Sequence, residues 1–71
     1  MLMSSARTIK EIRITLGMNQ EEFGNLLGVT KGNISKYESE KRKPRMKVYR
    51  KLKELAEENN IDIDPKDFFD F

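Results

Sequence analysis

A chain of 71 residues with neither cysteine nor histidine has no disulfide framework and no thiolate metal centre, and it lacks both the commonest general base and the commonest metal ligand. Its length allows one domain, expected over 1–71, that buries only about 60% of its unfolded surface, so packing alone, or packing with a partner, must hold it. The net charge of +2 conceals two opposed blocks: from Lys31 to Lys53 ten basic residues meet only Glu38 and Glu40 (net +8), and from Glu54 to Phe71 seven acids meet Lys66 alone (net −6).

The punctuation predicts an all-α bundle of five short helices. The first runs from about Ala6 to Leu16, with Ser4 or Ser5 as a cap, Ile9, Ile12 and Leu16 on one face, and Gly17 as its stop. A second opens at Asn19-Gln20-Glu21-Glu22, where Asn19 caps and Glu22 reaches back in a capping box. Its buried side is expected to carry Phe23, Leu26 and Leu27, and Gly28 ends it. A third starts from Thr30 as N-cap, continues to about Ser39 and turns Ile34 and Tyr37 to the core. Glu40 to Pro44 reads as a basic loop. The fourth helix, about Met46 to Glu58, shows Val48, Leu52, Leu55 and Ala56 on one face, and Asn59-Asn60 breaks it. Asp64-Pro65 announces a short final helix over about 64–71 that would bury some of Phe68, Phe69 and Phe71. The core is expected over about 6–58.

The informative stretch is Gln20 to Glu38. Two helices must cross there through a turn of three or four residues, with Gly24 permitting close backbone approach and Gly28 supplying a positive φ. Leu16-Gly17-Met18-Asn19-Gln20, the small Gly24, the turn Leu27-Gly28-Val29-Thr30, Ile34 followed by Tyr37-Glu38, and the later Lys41-Arg42-Lys43-Pro44-Arg45 together resemble the phage Cro and repressor family of helix-turn-helix proteins. The resemblance covers the first four helices. It implies a lambda-repressor-like fold in which helices 2 and 3 form the helix-turn-helix, and a sequence-specific regulator of transcription, a repressor, bound to a double-stranded DNA operator. It further implies that Gln20 hydrogen-bonds a phosphate and that Arg13 and Glu38 form a structural ion pair.

Helical periodicity points the same way. At about 100° per residue, Lys31, Gly32, Ser35 and Lys36 share one arc of the third helix, opposite Ile34 and Tyr37. Such a face suits the base edges of a major groove. Lys31 and Lys36 could donate to guanine, Gly32 would let the backbone come close, and Ser35 could adapt its hydroxyl. Asn33, at the edge of the arc, could pair with adenine or hold a phosphate. Lys41, Arg42, Lys43 and Arg45 are the expected phosphate contacts, which position a protein without reading sequence.

Two departures from the family pattern stand out. Glu40 occupies the place where the family usually has glycine at the helix end, and Gly32 removes a side chain that often reads a base. No catalytic constellation, metal site, cofactor motif or small-molecule site is discernible, so no enzyme is expected. The rival readings are an interaction module that kept the fold but lost DNA binding, and an antitoxin-type or controller-type autoregulator. A homodimer is expected, because one recognition helix reads only a few base pairs; Ile61, Ile63, Phe68, Phe69 and Phe71 offer its candidate surface. No apolar run approaches the roughly 18 residues of a membrane span, and Met1-Leu2-Met3 is too short for a secretory core. The expected location is the cytoplasm, at a bacterial or phage nucleoid.

Overall fold

The computed structural model describes residues 5–69. Four α-helices follow one another, α1 (Ser5–Thr15), α2 (Gln20–Leu27), α3 (Lys31–Glu38) and α4 (Met46–Glu58), and a 3₁₀ turn (Pro65–Asp67) completes the order. The expected helix-start chemistry is present at α2, where the Asn19 side chain accepts from the Glu22 amide at 2.8 Å and the Asn19 amide donates to the Glu22 carboxylate at 2.9 Å. Thr30 caps α3 by accepting from the Asn33 amide at 3.1 Å. Ser5 is a helical residue of α1 rather than its cap; Ser4 lies outside the described residues.

All four helices end through a residue with positive φ: Gly17 (68°), Gly28 (75°), Glu40 (62°) and Asn60 (55°). Three of the ends close in the same way. Beyond α1, α3 and α4 the amides of Gly17, Glu40 and Asn60 donate to Ile14, Tyr37 and Glu57, and the amides of the next residues donate to the carbonyls of Arg13, Lys36 and Ala56. These paired bonds satisfy carbonyls that a helix end would otherwise strand. Glycine and asparagine enter the left-handed region cheaply; for glutamate it costs about 1 kcal/mol or more.

The core draws on every helix: Ile9 and Ile12 from α1, Phe23 from α2, Ile34 and Tyr37 from α3, and Val48, Tyr49, Leu52 and Ala56 from α4. Phe68, from beyond the 3₁₀ turn, belongs to the same cluster with 2% of its surface exposed. Burying an aromatic or branched side chain contributes about 1.5–3 kcal/mol, so the nine such positions, Ala56 aside, account for most of the driving force in a chain of this size.

Two expectations need correction. The final helix is a single 3₁₀ turn: the Asp64 carboxylate accepts from the Lys66 amide at 2.9 Å with Pro65 at the first position. One turn gains little from propagation, and the packing of Phe68 and Phe69 on α4 fixes the segment instead; Phe71 lies outside the described residues. Leu26 is exposed rather than core-facing. The buried arc of α2 runs through Phe23, Gly24 and Leu27, and tight packing on the Gly24 side rotates Leu26 to the rim. Leu55 packs against the core from its edge, on the expected face, and Tyr49 joins Val48 in the core.

Candidate nucleic-acid interface

The geometry of α2 against α3 follows from Gly24. A Cβ there would lie 2.7 Å from the Val29 carbonyl oxygen and 3.3 Å from the Thr30 carbonyl carbon, so the turn and the start of α3 lie directly on the α2 backbone. The Val29 amide donates to the Gly24 carbonyl at 2.9 Å, and Gly28 provides the left-handed residue that reverses the chain. Residues 24 to 30 thus fix the position of α3 through backbone alone.

From that anchor α3 divides sharply. Ile34 is fully buried and Tyr37 is 4% exposed, whereas Lys31, Gly32, Ser35 and Lys36 are all exposed. Two core side chains on an eight-residue helix prevent it from rolling, and the exposed arc holds a fixed direction. Asn33, at its edge, is half-buried and accepts a 3.4 Å hydrogen bond from the Arg42 guanidinium. That bond ties the basic loop to the side of α3. Pro44 is buried and anchors the loop's far end, leaving Lys41, Arg42, Lys43 and Arg45 exposed.

A second clamp joins three helices. Arg13 on α1 donates from Nε and Nη2 to the two carboxylate oxygens of Glu38 at 2.7 and 3.0 Å, and from Nη1 to the Met18 carbonyl at 3.0 Å. The two side chains are 15% and 8% exposed, and their planar fork geometry is the strong form of this contact. Donating hydrogen bonds to Glu38 raises the Arg13 pKa, burial opposes that rise, and the Glu38 charge adds to it. Gln20 Nε2 reaches the same carboxylate at 3.4 Å, so the first residue of α2 is oriented by the last residue of α3. Gln20 also lines a cleft of about 430 Å³ with Arg13, Asn19, Glu21 and Lys31.

The structure therefore brings Arg13, Glu38 and Gln20 into one network and Asn33 and Arg42 into another, while Lys31, Gly32, Ser35 and Lys36 make up a single free arc. Sequence reading did not single out Lys47, Arg50 and Lys51, exposed on the first half of α4. The signal was available. Helix dipoles favour acids at the N-terminus and bases at the C-terminus, yet α4 has no acid in its first turn, no base in its last turn and no side-chain hydrogen bond at Arg45, its N-cap. Cations kept against the dipole suggest an anion outside the helix. The residues expected at a dimer surface, Ile61, Ile63, Phe68 and Phe69, are packed against the molecule's own core. Among the described residues, no group of three or more acids, histidines or cysteines could hold a metal ion, and no helix is long and apolar enough to cross a membrane.

A family model described as helix-turn-helix matches residues 9–65, the greater part of the chain. No curated protein and no solved structure is a match.

Proposed function

Because the chain belongs to the helix-turn-helix family of the phage Cro and repressor type, a family of DNA-binding regulators, we propose that it is a sequence-specific repressor of transcription that inserts α3 into the major groove of duplex DNA. Lys31, Gly32, Asn33, Ser35 and Lys36 face base edges, and Gln20, Asn33, Lys41, Arg42, Lys43 and Arg45 hold the phosphates on either side. The observation that carries this reading is the division of α3: Ile34 and Tyr37 are locked in the core while the lysine-bearing arc is open. The +8 block between Lys31 and Lys53, its ten cations all exposed, supplies the sequence-independent attraction to phosphate. Two copies related by a two-fold axis would read half-sites one helical turn apart, about 34 Å. Repression then needs only occupancy of a site that overlaps a promoter.

Selection from a randomised duplex pool tests the assignment. Lys31→Ala and Lys36→Ala each relax preference at particular base pairs by about 1–3 kcal/mol, whereas Lys43→Ala weakens binding to all sequences alike. Identical preference profiles for the three variants would defeat it.

A further inference from the structure

Glu40 is the one helix terminator of the four that is neither glycine nor asparagine, and it adopts φ +62°. Its amide donates to the Tyr37 carbonyl at 3.3 Å, and the Lys41 amide donates to the Lys36 carbonyl at 2.9 Å. The chain therefore doubles back over the last turn of α3, which places Glu40 between Lys36 and the run from Lys41 to Arg45. The residue is exposed, and its carboxylate enters no ion pair among the described residues. The other acid in the block from Lys31 to Lys53 is Glu38, already committed to Arg13. A strained backbone position thus presents, within a stretch of ten cations, the one carboxylate that has no ion pair among the described residues. Glu40 lines a cleft of about 360 Å³ together with Arg7, Lys10 and Glu38.

We propose that Glu40 is an affinity-limiting residue of the DNA-binding face: its carboxylate repels the phosphate backbone and keeps binding to duplex of every sequence weaker than the surrounding cations alone would make it. The proposal rests on the DNA-binding reading and deepens it. A neighbouring like charge acts through a screened Coulomb interaction, without base recognition. Its effect is therefore the same on all sequences and fades as salt rises.

The test uses the full chain with Glu40→Gln, which removes the charge and keeps the strain, and Glu40→Gly, which removes both. Affinities for a 20-base-pair duplex of random sequence and for a duplex taken from the selection are measured by fluorescence anisotropy across a salt series, alongside thermal melts. Both variants are expected to bind both duplexes about three-fold more tightly at low salt, with the gain shrinking toward higher salt. Only Glu40→Gly should melt higher, by about 5 °C. Tighter binding by Glu40→Gly alone would trace the effect to backbone strain and overturn the proposal. So would a change confined to the selected duplex, which would mean that the carboxylate reads a base, such as a cytosine amino group. Unchanged affinity in Glu40→Gln would overturn it while leaving DNA binding intact. Failure of the unsubstituted chain to bind either duplex at low salt would overturn the DNA-binding reading, and this inference with it.

Discussion

At Gly24 the contact distances leave no room for a methyl group against the Val29 carbonyl, and the obstacle is backbone, which cannot swing aside as a side chain can. Gly24→Val should therefore lower stability by about 1–3 kcal/mol, a fall in melting temperature of roughly 10 °C. A melt within a degree or two of the parent would show that the turn yields more easily than its geometry implies. Arg13 and Glu38 pose a different problem, because removing one partner strands a charge that is only 8% exposed on the carboxylate side. Arg13→Ala should cost up to about 3–5 kcal/mol. The apolar pair Arg13→Met with Glu38→Leu should recover most of that loss, since the desolvation penalty disappears with both charges. An unchanged melting temperature for Arg13→Ala would remove the pair from the account of stability.

At the scale of the element, α4 is where sequence and structure part. Its limits and its Val48, Leu52 and Ala56 positions follow from helical spacing, as do the α2 capping box and the two faces of α3. These features depend on residues a few positions apart, and local chemistry determines them. Helical spacing alone does not mark Tyr49 as core, because a tyrosine suits the surface equally well. Its place is set by Phe68 and Phe69, whose ring centres each lie 5.0 Å away, tilted at 58° and 79°. That contact spans some twenty residues of chain, and no local pattern announces it. For the same reason local sequence overstates the length of the 3₁₀ turn: its proline and aspartate give a start, but tertiary packing decides the stop.

The Tyr49 hydroxyl is buried and has no hydrogen-bond partner among the described residues. Burial raises its pKa, and the nearby negative charges of Asp64 and Glu57 raise it further. Below the ordinary tyrosine value of about 10, the folded and unfolded chains both keep the proton, and the stability associated with this group is fully present. As pH rises past 10 the unfolded chain ionises first, so stability falls until the raised value of the fold is passed. Tyr49→Phe should reduce that alkaline loss. At neutral pH it should leave the melting temperature unchanged or raise it by a few degrees, because an unsatisfied buried hydroxyl costs about 1 kcal/mol or more. A clear drop at neutral pH would mean that the hydroxyl has a partner after all.

On the scale of the whole molecule, charge and packing are arranged along different lines. The basic block sits on α3, the basic loop and α4 as far as Lys53, and the acidic block follows from Glu54 onward. The opposed blocks meet within α4, whose thirteen residues span about 20 Å, so the charge gradient is built into one rigid rod. The hydrophobic cluster does not respect that boundary. Phe68 is rooted in the acidic segment, yet it is among the largest fully buried or nearly buried side chains and packs on a tyrosine from the basic half of α4.

It follows that the acidic tail cannot be trimmed away as an appendage. A fragment ending at residue 65 would retain every cation of the basic block, but it would have an unfilled socket beside Tyr49 where a phenyl ring belongs. Loss of such a ring from a core costs about 3–5 kcal/mol, a large share of what a domain this small has to lose. Anyone shortening the molecule to its two crossing helices and their neighbours should expect a sticky, half-melted product whose nuclear magnetic resonance spectrum loses its dispersion.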